Sequence, residues 1–240
     1  MNNNYYLLGT KIMLHFLKNK LLIIAITLAP FSVFAEHTPY FKGIFGINKL
    51  NQISNFNNFE QKSNFSPEIG IGGGAGFVFD NSFRGDVIVS YTKVTFHNHC
   101  RLSSFYDVHL NNKRVVINSA MLNVYKDFFE IAENTTIFAG IGIGVSEINE
   151  NITWKTFSPN LTNNKLINTY QGVTNRKTTY NFTHSITAGI DFKVSSRLNL
   201  ELAYSFKNHG KTKSQTVQRV HLDEKLYLNH NIYTGVRYNL

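Results

Sequence analysis

His97, His99 and Cys100, with His109 nearby, are the residues best suited by type to hold a metal ion. Their spacing matches no standard zinc pattern, and a polar loop is the plainer reading. Gly210-Lys211-Thr212 has the form of the end of a phosphate-binding loop, but the glycine needed five residues earlier is Ser205. Gly70, Gly72, Gly73, Gly74 and Gly76 have the density of a dinucleotide fingerprint. Phe77-Val78-Phe79 then continues as strand, with no helix to present its N-terminus to a phosphate. Close backbone packing within a strand accounts for these glycines. No Ser/His/Asp set stands out by spacing, although such sets are assembled by geometry. No cofactor, no metal and no enzymatic activity are therefore expected.

The charged residues fall into two groups. Arg84, Asp86, Asp127, Asp191, Glu201, Lys207 and Arg237 sit singly inside alternating runs, where they are expected to pair with one another. A second group lies in polar stretches. Lys155, Lys165, Arg176 and Lys177 fall in 150–178, and Lys211, Lys213, Arg219 and Lys225 in 208–226, against only Asp223 and Glu224 in the latter. With Trp154 and Tyr170 as aromatic anchors, joined by Phe105, Tyr106 and Phe157, these cations suit capture of acidic partners. Solvated loop charge is the bland alternative.

The elements that would hold these groups are strands. Tyr180, Phe182, His184, Ile186, Ala188, Ile190 and Phe192 alternate with Asn181, Thr183, Ser185, Thr187, Gly189 and Asp191, the period of a strand with one apolar side. Leu198, Leu200, Leu202, Tyr204 and Phe206 repeat the pattern after a short turn. Similar runs cover 69–79, 83–92, 115–127, 137–146 and 231–240, with a weaker one at about 40–47, which gives eight strands. Short connections at Asp80-Asn81-Ser82, Phe129 to Thr135 and Val194 to Arg197 alternate with long polar ones at 49–66, 97–113, 150–178 and 208–226. That alternation is the arrangement of an outer-membrane barrel, and eight strands close around an interior filled by side chains. The predicted fold is all-β: an eight-stranded antiparallel transmembrane β-barrel of the OmpA/OmpX type with four long extracellular loops and short periplasmic turns.

The same alternation fits a soluble barrel with its faces reversed, and the polar face decides between them. A water-facing surface is rich in Lys and Glu. Here it is mainly Gly, Ser, Thr and Asn, which suits a crowded lumen. The apolar face carries Tyr180, Phe192, Tyr204, Phe206 and Tyr238 near strand ends, as interfacial girdles do.

Lys11, Lys18 and Lys20 precede the apolar run 21–29, followed by Pro30 and Val33-Phe34-Ala35. This reads as an export signal over 1–35 with cleavage after Ala35, leaving 36–240 as the barrel domain. The basic segment is long from Met1 and of ordinary length from Met13. The run is shorter than the roughly 20 apolar residues of a spanning helix, so a membrane is crossed by strands. The net charge of +9 favours anionic partners. The charge alone does not choose among nucleic acid, lipid head groups and acidic glycans; a barrel in the outer membrane meets outer-membrane lipid and, through exposed basic loops, acidic host glycans or proteins, and no nucleic acid is expected.

The runs 83–91, 122–128 and 138–145 resemble the small OmpA/Opa-like barrels. The segments Glu201 to Lys213 and Asn229 to Tyr238 are similar to the rickettsial proteins named putative adhesins. The likeness spans nearly all of 36–240, good in the strands and poor in the loops. The terminal Val236, Tyr238 and Leu240 resemble the closing signal read by the outer-membrane insertion machinery, with Leu in place of the usual Phe. The resemblance implies surface display, attachment to host cells and, in some members, capture of the serum protein vitronectin. A barrel that stabilises the envelope is the alternative, and an outer-membrane enzyme ranks last.

Overall fold

The computed structural model describes residues 37–54, 68–79, 82–102, 107–159, 166–173, 177–217, 220–222 and 224–240. The expected export signal, with Met1, Met13 and Ala35, lies outside the described residues. Eleven strands are present among those described: β1 (Thr38–Ser54), β2 (Glu68–Val78), β3 (Phe83–Leu102), β4 (Asp107–Ala132), β5 (Thr135–Pro159), β6 (Leu166–Val173), β7 (Lys177–Lys193), β8 (Leu198–Thr212), β9 (Gln215–Val217), β10 (Val220–Leu222) and β11 (Lys225–Asn239).

Neighbouring strands pair antiparallel in the order β4-β3-β2-β1-β11-β8-β7-β5, and β4 pairs with β5 to close the ring. The expected fold class is the one observed: a closed antiparallel barrel of eight strands. Closure joins the two ends of the chain's strand order, with Tyr40 opposite Asn239 and Ser54 opposite Lys225. It removes every free edge in the spanning wall, which a bilayer demands because lipid offers no hydrogen bonds.

At one end the turns are short, and their chemistry is local. Asn134 adopts a left-handed φ of 64° between β4 and β5, a conformation Asn tolerates better than most residues. β4 runs through Ala132, so this turn is tighter than the expected span of 129–135. Ser195 Oγ accepts the backbone N–H groups of Arg197 and Leu198 in the β7–β8 turn.

The other end differs more from the sequence-based expectation. A tilted spanning strand needs about 9–11 residues, yet β4 has 26 and β5 has 25. The polar stretches 97–113 and 150–178 are largely paired hairpin rather than open loop. β3 and β4 stay paired to Leu102 opposite Val108. β5 exchanges its partner β7, which it follows to Glu150, for β6, which it follows from Thr153 to Pro159. In 208–226, β9 and β10 form a separate two-stranded hairpin.

The faces fall as the alternation demands. Ile141 is 67% exposed, Ile186 62% and Leu202 47%, all pointing outward. They belong to an apolar band that includes Phe45, Ile71, Tyr91, Leu122, Phe182 and Tyr238. Beyond it, on the side of the long connections, the outward positions turn polar at Lys49, Lys93 and Arg114.

Candidate functional site

Two regions carry charge in an organised way: the lumen near the short turns, and the extensions beyond the apolar band.

The lumen is built from the inward phase of each strand. Arg84 on β3 and Glu201 on β8 are 1% and 2% exposed. Arg84 Nη1 donates to Glu201 at 2.7 Å, and its Nε and Nη2 both donate to Asp127 Oδ1, at 3.1 and 2.9 Å. Arg237 on β11 pairs with Asp191 and lies 3.7 Å from Glu201. Asp86 accepts from Asn123 Nδ2 at 2.8 Å and from the hydroxyls of Tyr40 and Tyr125. Six of the seven lumen charges singled out in the sequence therefore meet in one network. Lys207 belongs to none of the ion pairs found among the described residues.

Lys42 on β1 joins the network and was not singled out. It lies 2.7 Å from Glu201 and 3.6 Å from Asp86. The signal was its phase: Tyr40, Lys42 and Ile44 alternate with the outward Phe41 and Phe45. Aromatic residues also stand inside. Tyr125, Phe138, Tyr233 and Ala203 form a buried cluster. Lys42 Nζ sits 4.7 Å from the Tyr125 ring centre and the Arg84 guanidinium 4.7 Å from that of Phe138. Gly140 makes room for Tyr125, since a Cβ there would lie 2.3 Å from its ring.

Above the network the lumen becomes apolar. Leu50, Val94, Phe96, Val115, Ile117, Ile148 and Tyr227 pack together, all buried. A second buried polar group sits at this level. Lys113 Nζ is 2.5 Å from Glu150 and donates to Gln52 at 3.0 Å, while the Tyr227 hydroxyl donates to Glu150 and accepts from Lys113. The lumen is thus ionic at one level and, further out, close-packed beside a second, smaller ion pair.

One serine–histidine contact exists among the described residues. Ser146 Oγ is 2.8 Å from His209 Nδ1 and accepts from Thr183. His209 is buried and its Nε2 has no partner. Without a carboxylate on that nitrogen the pair lacks the orienting third member of a hydrolytic triad.

The extensions hold the second group of cations. Lys211 and Lys213 are exposed. Lys177 is committed elsewhere: its Nζ donates to the backbone carbonyls of Lys213 and Ser214, tying β7 to the end of β8. Lys225 is half-buried and has partners of its own. The backbones of Trp154, Lys155 and Tyr170 are placed by register, opposite Gly172, Gln171 and Thr156 on the β5–β6 ribbon. Phe157 lies on the same ribbon, opposite Asn168. Lys165, Arg176, Arg219, Phe105 and Tyr106 lie outside the described residues. His97, Cys100 and His109 fall on the β3–β4 ribbon, where Cys100 pairs with Leu110 and His109 with Arg101. Among the described residues no cluster of His, Cys, Asp or Glu fits a metal ion.

No protein-family model matches the chain. A protein of Rickettsia conorii (strain Malish 7) named a putative adhesin is 29% identical over 200 residues, which are 80% of this chain and 73% of the relative. Another so named from Rickettsia bellii (strain RML369-C) is 28% identical over 191 residues, 75% of this chain and 77% of the relative. Among solved structures, the outer membrane protease OmpT of Escherichia coli superposes with a TM-score of 0.50 at 7% identity, over 85% of this chain and 97% of that one. Neisserial surface protein A superposes with a TM-score of 0.46 at 12% identity, over 84% and 97%. At such identities the OmpT likeness concerns the fold alone. The chain's homologues are rickettsial proteins named putative adhesins, and its architecture is that of the outer-membrane barrels.

Proposed function

We propose that this outer-membrane barrel, a homologue of the rickettsial proteins named putative adhesins, attaches the bacterium to host-cell surface or serum proteins through its extramembrane hairpins. The observation that carries the reading is strand length. β4 and β5 have more than twice the residues a bilayer crossing uses. Because their hydrogen bonds continue beyond the apolar band, the tips stand on a paired ribbon instead of a loose loop. A contact surface held this way loses less conformational entropy on binding. The exposed Lys211 and Lys213, and the cations along 150–178 and 208–226, give the projecting end a basic character that suits acidic glycans or acidic protein surfaces. Vitronectin is the serum protein to try first, since the family resemblance implies its capture.

The test is a chain in which residues 154–173 and 213–224 are each replaced by a short turn. Displayed on Escherichia coli, it should keep the heat-sensitive gel mobility of a folded barrel and lose adherence to cultured host cells and pull-down of vitronectin. Undiminished adherence by the shortened barrel removes the hairpins from the account. Binding by the intact chain should also fall steeply as salt rises, since exposed charge pairs are screened within about 8 Å at physiological ionic strength.

A further inference from the structure

Two small cavities lie in the lumen between the ionic network and the apolar cluster, and Lys207 lines both. The larger, of about 20 Å³, is walled by Lys207, Lys42, Ser185, Thr187 and Ser205 among others, and no carboxylate is in its wall. The smaller, of about 10 Å³, also lacks a carboxylate and contains Asn48 and Asn231. Asn48 is 2% exposed, and its Nδ2 has no hydrogen-bond partner. Asp86 and Glu201 stand on Lys42, at 3.6 and 2.7 Å, while Lys207 makes no ion pair among the described residues. The larger cavity therefore presents the Lys207 ammonium and the Ser185 and Ser205 hydroxyls to whatever fills it, the Lys42 ammonium in its wall being already met by carboxylates and the Thr187 hydroxyl donating to Ser205.

An ammonium group held away from bulk water requires a counter-charge or good hydrogen-bond acceptors. The cavity has room for one guest of water size, which takes roughly 10–15 Å³ on this measure. A monatomic anion satisfies both conditions, accepting from Lys207 and from the Ser185 and Ser205 hydroxyls. The smaller cavity's wall carries both an unpartnered donor, Asn48 Nδ2, and an unpartnered acceptor, Asn231 Oδ1, a pair that suits water, so the anion is assigned to the larger one. We propose that the barrel lumen binds a small inorganic anion of the halide class beside Lys207, enclosed between the ion-pair network on one side and the apolar cluster on the other.

The site lies within the spanning wall and does not depend on the adhesin reading; loss of either leaves the other standing. Bromide serves as the probe, with the full chain refolded into detergent micelles. Crystals grown in bromide should show an anomalous peak within hydrogen-bonding distance of Lys207 Nζ. The unfolding equilibrium should shift toward the folded state about 100-fold when bromide is raised to 100 times its dissociation constant at fixed ionic strength. Lys207→Met should fold and lose both responses. If that variant does not fold, wild-type barrel refolded in bromide and exchanged into sulfate should retain bromide on ion chromatography, and a barrel that retains none overturns the proposal. A cavity holding water alone, with stability indifferent to bromide, overturns the proposal.

Discussion

Glu201 is the residue on which most of the lumen depends. It meets Lys42 and Arg84 at 2.7 Å and Arg237 at 3.7 Å. Removing one member of a buried ionic group leaves its partners desolvated and uncompensated, which costs about 3–5 kcal/mol. Glu201→Ala should lower the urea unfolding free energy in micelles by that order. The double change Arg84→Met with Glu201→Leu should recover much of it, because Lys42 keeps Asp86, Arg237 keeps Asp191, and Asp127 is partly exposed. Simple addition of the two single effects would show that the groups are not coupled. Gly140→Ala tests packing at the same depth. Its Cβ would meet the Tyr125 ring at 2.3 Å and the Val124 carbonyl at 2.6 Å, and overpacking of this kind costs about 1–3 kcal/mol. Alternation alone made Arg84, Asp86, Asp191, Glu201 and Arg237 legible, because a charge in the polar phase of a lipid-facing strand has nowhere to go but inward. It put Tyr125, Phe138 and Tyr233 in the same phase, but not how a narrow lumen holds them. Bulky inward residues are accommodated by glycines on neighbouring strands, and that complementarity exists only once register is known.

The strands divide into two physical regimes along their length. Within the apolar band the outer surface is lipid-facing, so the middle of the part of β5 that lies in the band is unforgiving: Ile141→Lys should cost about 2–4 kcal/mol, seen as a lowered unfolding free energy. Beyond the band the wall is wet outside, and the core is inside, as in a soluble barrel. Ile148 is fully buried in that core with Val115 and Ile117. Ile148→Ala removes packed methyl groups and leaves a void, a loss of about 2–5 kcal/mol. Local opening draws on the least stable cooperative unit. In Ile148→Ala, amide exchange should therefore accelerate in the outer parts of the two strands, from 113 to 117 on β4 and from 147 to 152 on β5, while 120–126 and 137–145 stay protected. Uniform acceleration along both strands would show a single unit. This division also explains what the sequence concealed. Residues 150–159 carry no clean period of two, and a polar segment with Asn, Lys, Ser and Pro reads as loop. What makes it strand is continuation of a ladder already registered lower down between β4 and β5, where each added residue completes further hydrogen bonds without a new closure cost.

For the molecule as a whole, the question is whether a closed cylinder with a polar lining conducts. Eight strands leave an interior about the width of its own side chains. Here that interior is interrupted twice, by different physics. Near the short turns, Lys42, Arg84, Arg237, Asp86, Asp191 and Glu201 bridge strands across the lumen. Further out, Leu50, Val94, Phe96, Val115, Ile117, Ile148 and Tyr227 close it with apolar contacts. An ion passing the first level must break buried pairs, and at the second it must part close-packed apolar side chains and the buried Lys113–Glu150 pair beside them. The two barriers act in series, so weakening one leaves the other. The refolded barrel in a planar bilayer should show no steady conductance, and Glu201→Ala, despite its lost stability, should be equally silent. Conductance that appeared in Glu201→Ala alone would mean that the apolar level is permeable and that the ion pairs alone hold the lumen shut. Steady current through the unaltered chain would mean that neither level seals, and the enclosed cavities beside Lys207 would then lie on an open path.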